Sequence, residues 1–328
     1  MNHGRRYIFG PVPSRRLGRS LGVDVIPHKL CNFDCVYCEV GPTDKRAMRR
    51  QEYCPADKII AELTEVLAEP QQIDTITFSG AGEPTLNSKL GEIIHAVKQL
   101  TQIPVAVITN GSLLYLESVR NDLREADIIL PSLDAVSTRV FGMVNRPHPA
   151  LQIETIIEGL KTFRKEFHGQ IWLEILFVKG LNDERSEVER LRRVVGEIQP
   201  DKVQLNTIIR PPSNAVFGPV AEKELYRLRE LFGETCEVIG VSGARPVTAR
   251  HRINNDEILA ALHRRAMTLD ELARALGLSH LDVLISLGIM EEEGLIESFF
   301  YYDRKHYKAI EGTEGELIRK MEFKIHLN

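Results

Sequence analysis

The 328-residue sequence predicts an α/β chain: a partial (βα)6 TIM-like barrel of parallel strands, followed by a small winged helix-turn-helix domain. Three observations predict it. Six short β-branched runs alternate with six longer segments of helical period; polar residues recur at two-residue spacing within the later runs; and beyond a Gly-, Pro- and Ser-containing stretch at 241–251 the pattern turns to helices and one ribbon. The expected boundaries are a barrel over 1–245, the winged helix over 246–312 and a tail helix over 313–328.

Taken in order, the strand candidates are 21–27, 73–78, 104–109, 127–133, 170–178 and 202–208, and the helix candidates are 55–69, 87–100, 113–125, 151–167, 183–198 and 220–232. Strict alternation implies parallel strands joined by right-handed helical crossovers. Glu174 in "WLEILFV", and Gln204 with Asn206 in "VQLNTII", share one face by two-residue periodicity. Polar side chains on an inward face favour a curved sheet around a lumen that holds substrate. A doubly wound open sheet is the structural alternative.

In the small domain, Asn254 with Glu257 and Thr268 with Glu271 form capping boxes that start two helices, and Ser279 caps a third. Residues 294–311 read as a two-stranded ribbon, which completes the winged-helix order. Leu281, Leu284, Ile285 and Ile289 are expected in its core. Charge argues against DNA: residues 251–312 hold seven Arg or Lys against eleven acids, and the expected recognition helix "HLDVLISLGIMEEEG" has no Arg or Lys. A protein or peptide partner, or a lid over the barrel, is expected instead; the alternative is RNA, met by Arg304, Lys305 and Lys308 near the wing.

Composition bounds the rest. The chain is 43% hydrophobic and 27% charged, with net charge −4. No apolar run reaches membrane-span length and the first residues hold no signal-peptide core, so a cytoplasmic protein is expected. Residues 1–50 carry ten Arg or Lys and four acids. Such a basic skin suits an anionic visitor, or is ordinary surface charge.

Three of the five cysteines, Cys31, Cys35 and Cys38, fall within "KLCNFDCVYCEVG". An odd, clustered set points to metal or redox chemistry rather than a disulfide framework. Zinc prefers four ligands, and the nearby His28 is a poor fourth. A redox dithiol needs only Cys35 and Cys38. A four-iron cluster accepts three thiolates and leaves one iron free of protein. Cys54 and Cys236 stand alone and read as small buried hydrophobes.

The three-cysteine spacing, with Tyr37 directly before the last cysteine, resembles the signature of the radical S-adenosylmethionine (SAM) superfamily, and "TFSGAGEPTL" after the next strand resembles that family's Gly-rich turn. The resemblance implies a 4Fe-4S cluster on Cys31, Cys35 and Cys38 and SAM on its open iron. It implies that Gly80 and Gly82 admit the methionine moiety of SAM and that Glu83 accepts from its ammonium. Ala81 replaces one of the two adjacent glycines usual in the family. Asn110, Ser132 and Asp134, at the ends of the third and fourth strands, and Arg146 in "VNRPHP" resemble further SAM contacts. "GPVPSRRLGRSLGVD" and "KGLND" are similar to a bacterial branch related to the wybutosine-type tRNA synthases; the second cluster of some of those enzymes lacks its ligands here, since no cysteine precedes Cys31.

The implied reaction is reductive SAM cleavage followed by hydrogen abstraction from an RNA base or a peptide side chain, with flavodoxin or ferredoxin as electron donor. No residue is assigned to the abstraction step. The alternative is a non-catalytic iron–sulfur sensor acting through its winged helix.

Overall fold

A computed structural model of the chain describes residues 7–43, 45–212, 216–239 and 255–310. The expected linker at 241–251, the Asn254–Glu257 capping box and the tail helix at 313–328 lie outside the described residues. The chain divides into two units, Met1–Ala244 and Arg245–Asn328.

In the first unit the β-branched runs build one eight-stranded sheet. Its strands are β1 (Ile8–Ser14), β2 (Gly18–Asp24), β3 (Thr75–Ser79), β4 (Val105–Thr109), β5 (Ile128–Pro131), β6 (Gln170–Phe177), β7 (Lys202–Thr207) and β8 (Cys236–Val238), lying side by side in sequence order. From β2 to β8 every pair is parallel. The helices between them are α1 (Ala56–Ala68), α2 (Leu90–Leu100), α3 (Glu117–Asp122), α4 (Thr138–Val144), α5 (Ile153–Glu166), α6 (Arg185–Ile198) and α7 (Glu222–Phe232). Each long helix buries residues three and four apart, such as Ile59, Leu63 and Val66 on α1 and Ile153, Ile156, Ile157, Leu160 and Phe163 on α5. Strand order never reverses. With right-handed crossovers that places all the helices on one face, the winding of a barrel; a doubly wound sheet reverses part-way.

Three expectations need correction. The first strand candidate, 21–27, is displaced to β2 and preceded by the antiparallel edge strand β1, so the sheet is not wholly parallel. Pro11 and Pro13 break the β pattern in sequence, and an edge strand is where prolines are tolerated. The third helix shrinks to six residues because the chain turns through 110–116 first, and α4 and β8 were not expected.

The inward face changes character along the strands. Leu17, in the β1–β2 turn, packs against Ala106, Leu130 and Trp172 with Ile108 and Ile128 beside them, forming an apolar plug. One layer further along β6 and β7, Glu174 and Gln204 are register neighbours, and Glu174, Gln204 and Asn206 are all buried. They share an inward polar network: Asn206 Nδ2 donates to Glu174 Oε1 (2.8 Å), and Arg16 Nη1 lies 3.0 Å from Glu174 Oε2.

The second unit contains α8 (Asn255–Arg264), β9 (Met267–Thr268), α9 (Leu269–Leu276), α10 (His280–Glu292), β10 (Ile296–Tyr301) and β11 (Arg304–Ala309), with the strands in antiparallel order β10-β11-β9. Thr268 and Glu271 form the expected capping box, and Ser279 Oγ accepts from Asp282 N. Gly277 ends α9 in the left-handed conformation, and α10 leaves at 115°. Its core holds Leu262, Leu272, Val283, Leu287 and Met290. Leu281, Leu284, Ile285 and Ile289, expected in that core, are instead 44–65% exposed. Since α10 is apolar all round, its hydrophobic residues do not reveal which side faces inward. Among the described residues no single helix is long and apolar enough to cross a membrane.

Candidate metal and cofactor site

Cys31, Cys35 and Cys38 occupy the loop that leaves β2, at the carboxyl end of the parallel strands. Backbone bonds hold this loop at two places. Asp34 N and Val36 N donate to Asn145 O and Val144 O, at the end of α4, and Ala47 N donates to Cys31 O. Phe33 meets Phe141 edge to face at 5.4 Å. Every cysteine sulfur accepts a hydrogen bond: Cys31 from Phe33 N (3.4 Å) and Asn110 Nδ2 (3.7 Å), Cys35 from Asn145 Nδ2 (3.5 Å), and Cys38 from Lys29 Nζ (2.9 Å).

Desolvation, assisted by the Glu83 charge, pushes the Cys31 thiol up to about 12. Desolvation and Asp134 drive Cys35 well above the usual thiol range. The thiols also disfavour one another's ionisation, so a cation bound among them would reverse the balance. Among the described residues, no three or more His, Cys, Asp or Glu side chains converge on a point suited to one metal ion. His28 is exposed on the loop, while Cys54 and Cys236 are buried in the core.

The Gly-rich turn is zipped to the cysteine loop. Lys29 N donates to Ala81 O (2.7 Å) and Glu83 N to Leu30 O (3.0 Å). Gly80 has φ +147°, and a Cβ on it would lie 2.7 Å from Asp24 Oδ1. A Cβ on Gly82 would stand 1.9 Å from the Leu30 carbonyl oxygen. The close approach at Gly82 is therefore first to the chain's own backbone, whereas the sequence resemblance assigns it to a cofactor.

Glu83 is buried, and its carboxylate faces its own surroundings. Oε1 accepts from Thr85 N, Thr85 Oγ1 and Thr109 Oγ1, and Oε2 from Asn110 N. Burial raises its pKa, and these hydrogen bonds oppose the rise. Asn110 links turn and loop: its Nδ2 donates to Asn32 Oδ1 (2.7 Å) as well as towards Cys31.

Asp134 is the second buried carboxylate. It accepts from Tyr37 Oη (2.5 Å), Asn145 Nδ2 (2.7 Å) and Leu176 N (2.9 Å), and desolvation pushes its pKa up to about 6. Tyr37 is thus tied to the end of β5. Ser132, half-buried, donates its N–H to Thr109 O, while its hydroxyl makes no hydrogen bond among the described residues. Arg146, at φ +44°, points to Asp34, with Nη1 3.5 Å from Oδ2.

All eleven residues singled out in the sequence therefore sit on the β2 loop, the Gly-rich turn, the ends of β4 and β5, or the end of α4. Sequence reasoning missed Lys29 and Asn145, the amine and amide on Cys38 and Cys35. Their only linear signals are proximity, two residues before Cys31 and one before Arg146. It also missed the Thr85 and Thr109 hydroxyls on Glu83.

The Radical SAM superfamily model matches residues 25–191. A protein named GTPase Obg from Brachyspira hyodysenteriae is 42% identical over 231 residues, 70% of this chain but 34% of its own, so the chain spans about a third of that relative. A UPF0026 protein of Methanocaldococcus jannaschii is 36% identical over 228 residues, covering 69% of this chain and 71% of that one. A solved radical SAM methyltransferase from Sphaerobacter thermophilus shares the fold with a TM-score of 0.51 at 17% identity, over 67% of this chain and 65% of its own. By that matched segment, which spans half of its length, the chain belongs to the radical SAM superfamily.

Proposed function

We propose that the chain is an enzyme that cleaves SAM reductively at a 4Fe-4S cluster held by Cys31, Cys35 and Cys38, and that it abstracts hydrogen from a substrate in the barrel lumen. One observation carries this reading. Three thiols, each receiving a hydrogen bond, lie on one loop at the carboxyl end of a parallel sheet, zipped to the "GAGEP" turn. Three cysteines on one loop suit a four-iron cluster, which takes one thiolate on each of three irons, better than a tetrahedral zinc, which takes four ligands. Asn145 Oδ1, buried without a partner beside Cys35, is an acceptor available to a bound group.

When bound, the cluster supplies the electron that releases a 5′-deoxyadenosyl radical from SAM. The chain's own residues position and shield. Lys29, Asn110 and Asn145 donate to the sulfurs and stabilise their negative charge. Glu83 fixes the Gly-rich turn through Thr85 and the end of β4 through Thr109 and Asn110, leaving one lone pair of Oε2 for the SAM ammonium. Asp134, through Tyr37, ties the cysteine loop to the end of β5, and the Ser132 hydroxyl remains available for a ligand contact. Leu17 and its apolar neighbours exclude water from below. Arg146, paired with Asp34 through Nη1, would offer its remaining guanidinium donors to the SAM carboxylate.

The second unit supports a winged-helix reading by its element order, the 115° bend across a Gly-containing turn, and the β10–β11 ribbon. Its acidic α10 disfavours DNA and suits a protein or peptide. The basic N-terminal region favours an RNA base as substrate, in keeping with the wybutosine-type resemblance. Flavodoxin or ferredoxin would supply electrons. A second reading, an iron–sulfur sensor without turnover, draws on the exposed Leu281, Leu284, Ile285 and Ile289 as a partner surface. Anaerobic reconstitution with dithionite and SAM decides between them: the enzyme reading expects 5′-deoxyadenosine, and its absence with the cluster intact favours the sensor.

A further inference from the structure

We propose that the Lys29 ammonium sets the reduction potential of the cluster, raising it through Cys38. This deepens the proposed function and rests on Cys31, Cys35 and Cys38 holding a 4Fe-4S cluster. Two independent observations single out Lys29. One is the contact its side chain makes, and the other is the conformation in which its backbone is held.

The three sulfurs meet donors of different kinds. Cys31 accepts from the Phe33 N–H (3.4 Å) and the Asn110 amide (3.7 Å), and Cys35 from the Asn145 amide (3.5 Å), all neutral groups. Cys38 accepts from Lys29 Nζ at 2.9 Å, the shortest of these contacts and the only one that carries a formal charge. Lys29 is half-buried, so solvent screens that charge only in part. One-electron reduction adds a negative charge to a cluster and its thiolates without making or breaking a bond. A cation 2.9 Å from one of those sulfurs stabilises the reduced state more than the oxidised one, and so raises the potential.

The backbone makes the same residue unusual. Lys29 stands at φ +61°, in the left-handed region that favours glycine, at the third position of a tight turn that Leu30 N closes on Pro27 O (3.2 Å). Its own N–H donates to Ala81 O (2.7 Å), so the Gly-rich turn holds it there. Glycine would adopt this conformation without strain and would keep both backbone bonds. A lysine carries a steric cost at this position, and the one hydrogen bond its side chain makes among the described residues is to Cys38. Lys29 is thus a positioning residue: a strained turn, zipped to the Gly-rich turn, delivers its charge to one sulfur.

The test is a reductive titration of the anaerobically reconstituted full-length protein with dithionite and redox mediators, before SAM is added. It is read by the electron paramagnetic resonance signal of the reduced cluster, normalised to iron and sulfide content. Wild type is compared with Lys29→Gly, Lys29→Gln and Lys29→Arg. Since glycine fits the left-handed position, Lys29→Gly should keep the wild-type thermal midpoint while its potential falls. At the wild-type midpoint potential, the ratio of reduced to oxidised cluster should drop about tenfold in Lys29→Gly and Lys29→Gln, a shift of about 59 mV to lower potential. Lys29→Arg, which keeps the charge, should stay within about twofold of wild type. An unchanged potential in Lys29→Gly or Lys29→Gln overturns the proposal, because the charge is then not the cause. An equal fall in Lys29→Arg also overturns it, because the cause is then the structure of the loop. Should Lys29→Gly hold no cluster, Lys29→Gln and Lys29→Arg, which both keep a donor, decide by the same criteria. The readout does not pass through SAM cleavage. A Lys29-dependent potential in a protein that forms no 5′-deoxyadenosine sinks only the proposed reaction, and 5′-deoxyadenosine from a protein whose potential ignores Lys29 sinks only this inference. A wild type that takes up no iron and sulfide sinks the reading on which the inference rests.

Discussion

Replacing Gly82 with Ala places a methyl carbon 1.9 Å from the Leu30 carbonyl oxygen, 2.7 Å from the Leu30 carbonyl carbon and 2.8 Å from Ile26 Cγ2. A carbon tolerates a carbonyl oxygen no nearer than about 3.3 Å, so the two loops must part by about 1.4 Å. Two of the nearest atoms are backbone, and no rotamer change relieves them. The separation breaks the bonds from Glu83 N to Leu30 O and from Lys29 N to Ala81 O. Two backbone hydrogen bonds at about 1 kcal/mol each, and overpacking of about 1–3 kcal/mol, give a loss of about 3–5 kcal/mol. Chemical denaturation of wild type and Gly82→Ala, read by circular dichroism with iron content measured in parallel, should show that loss together with poor iron retention. A variant of unchanged stability and iron content that only binds SAM more weakly would refute the reasoning. Gly82 would then serve the cofactor and not the loop contact.

Other substitutions separate the roles of neighbouring groups. Arg16→Met leaves the buried Glu174 carboxylate without its main cation and should cost about 3–5 kcal/mol at neutral pH. Although burial alone would raise the Glu174 pKa, Arg16, Asn206 and Arg15 hold it below the usual value. Its stabilising contribution is therefore present above the unfolded pKa and lost as pH falls through the lower folded value, so the gap between wild type and variant should narrow towards acid pH; a gap independent of pH contradicts this. Tyr37→Phe removes the 2.5 Å bond to Asp134 and should destabilise the protein by about 1.5–3 kcal/mol in urea titrations, and no change would mean that the bond is not formed. Lys29→Met deletes the amine 2.9 Å from Cys38 Sγ and should make iron about 10–100-fold easier to remove with a chelator; equal resistance would exclude that support.

The six βα units were legible because each pairs a β-branched run with a helix whose apolar residues recur at three and four. The edge strand was not, since Pro11 and Pro13 interrupt its alternation, and only pairing with β2 makes it a strand. On α10, Leu281 and Ile289 are exposed while Val283 and Leu287 are buried, a distinction that a helix apolar on both sides hides from sequence. At the site, the cysteine spacing and the "GAGEP" turn are local and could be read directly. Contacts such as Gly82 against Leu30, or Asn145 against Cys35, join segments far apart in the chain and exist only once the loops are packed together. Arg16 shows the same limit: it is one of many basic residues in the sequence and the partner of a buried glutamate only in the fold.

The central claim is tested most directly by counting metal and sulfide in the anaerobically reconstituted full-length chain, with Mössbauer spectra recorded before and after SAM is added. The account predicts about four irons and four sulfides per chain, one iron site changing on SAM addition, and loss of the cluster in Cys35→Ala. Zinc without sulfide, or iron retained unchanged in Cys35→Ala, would contradict it.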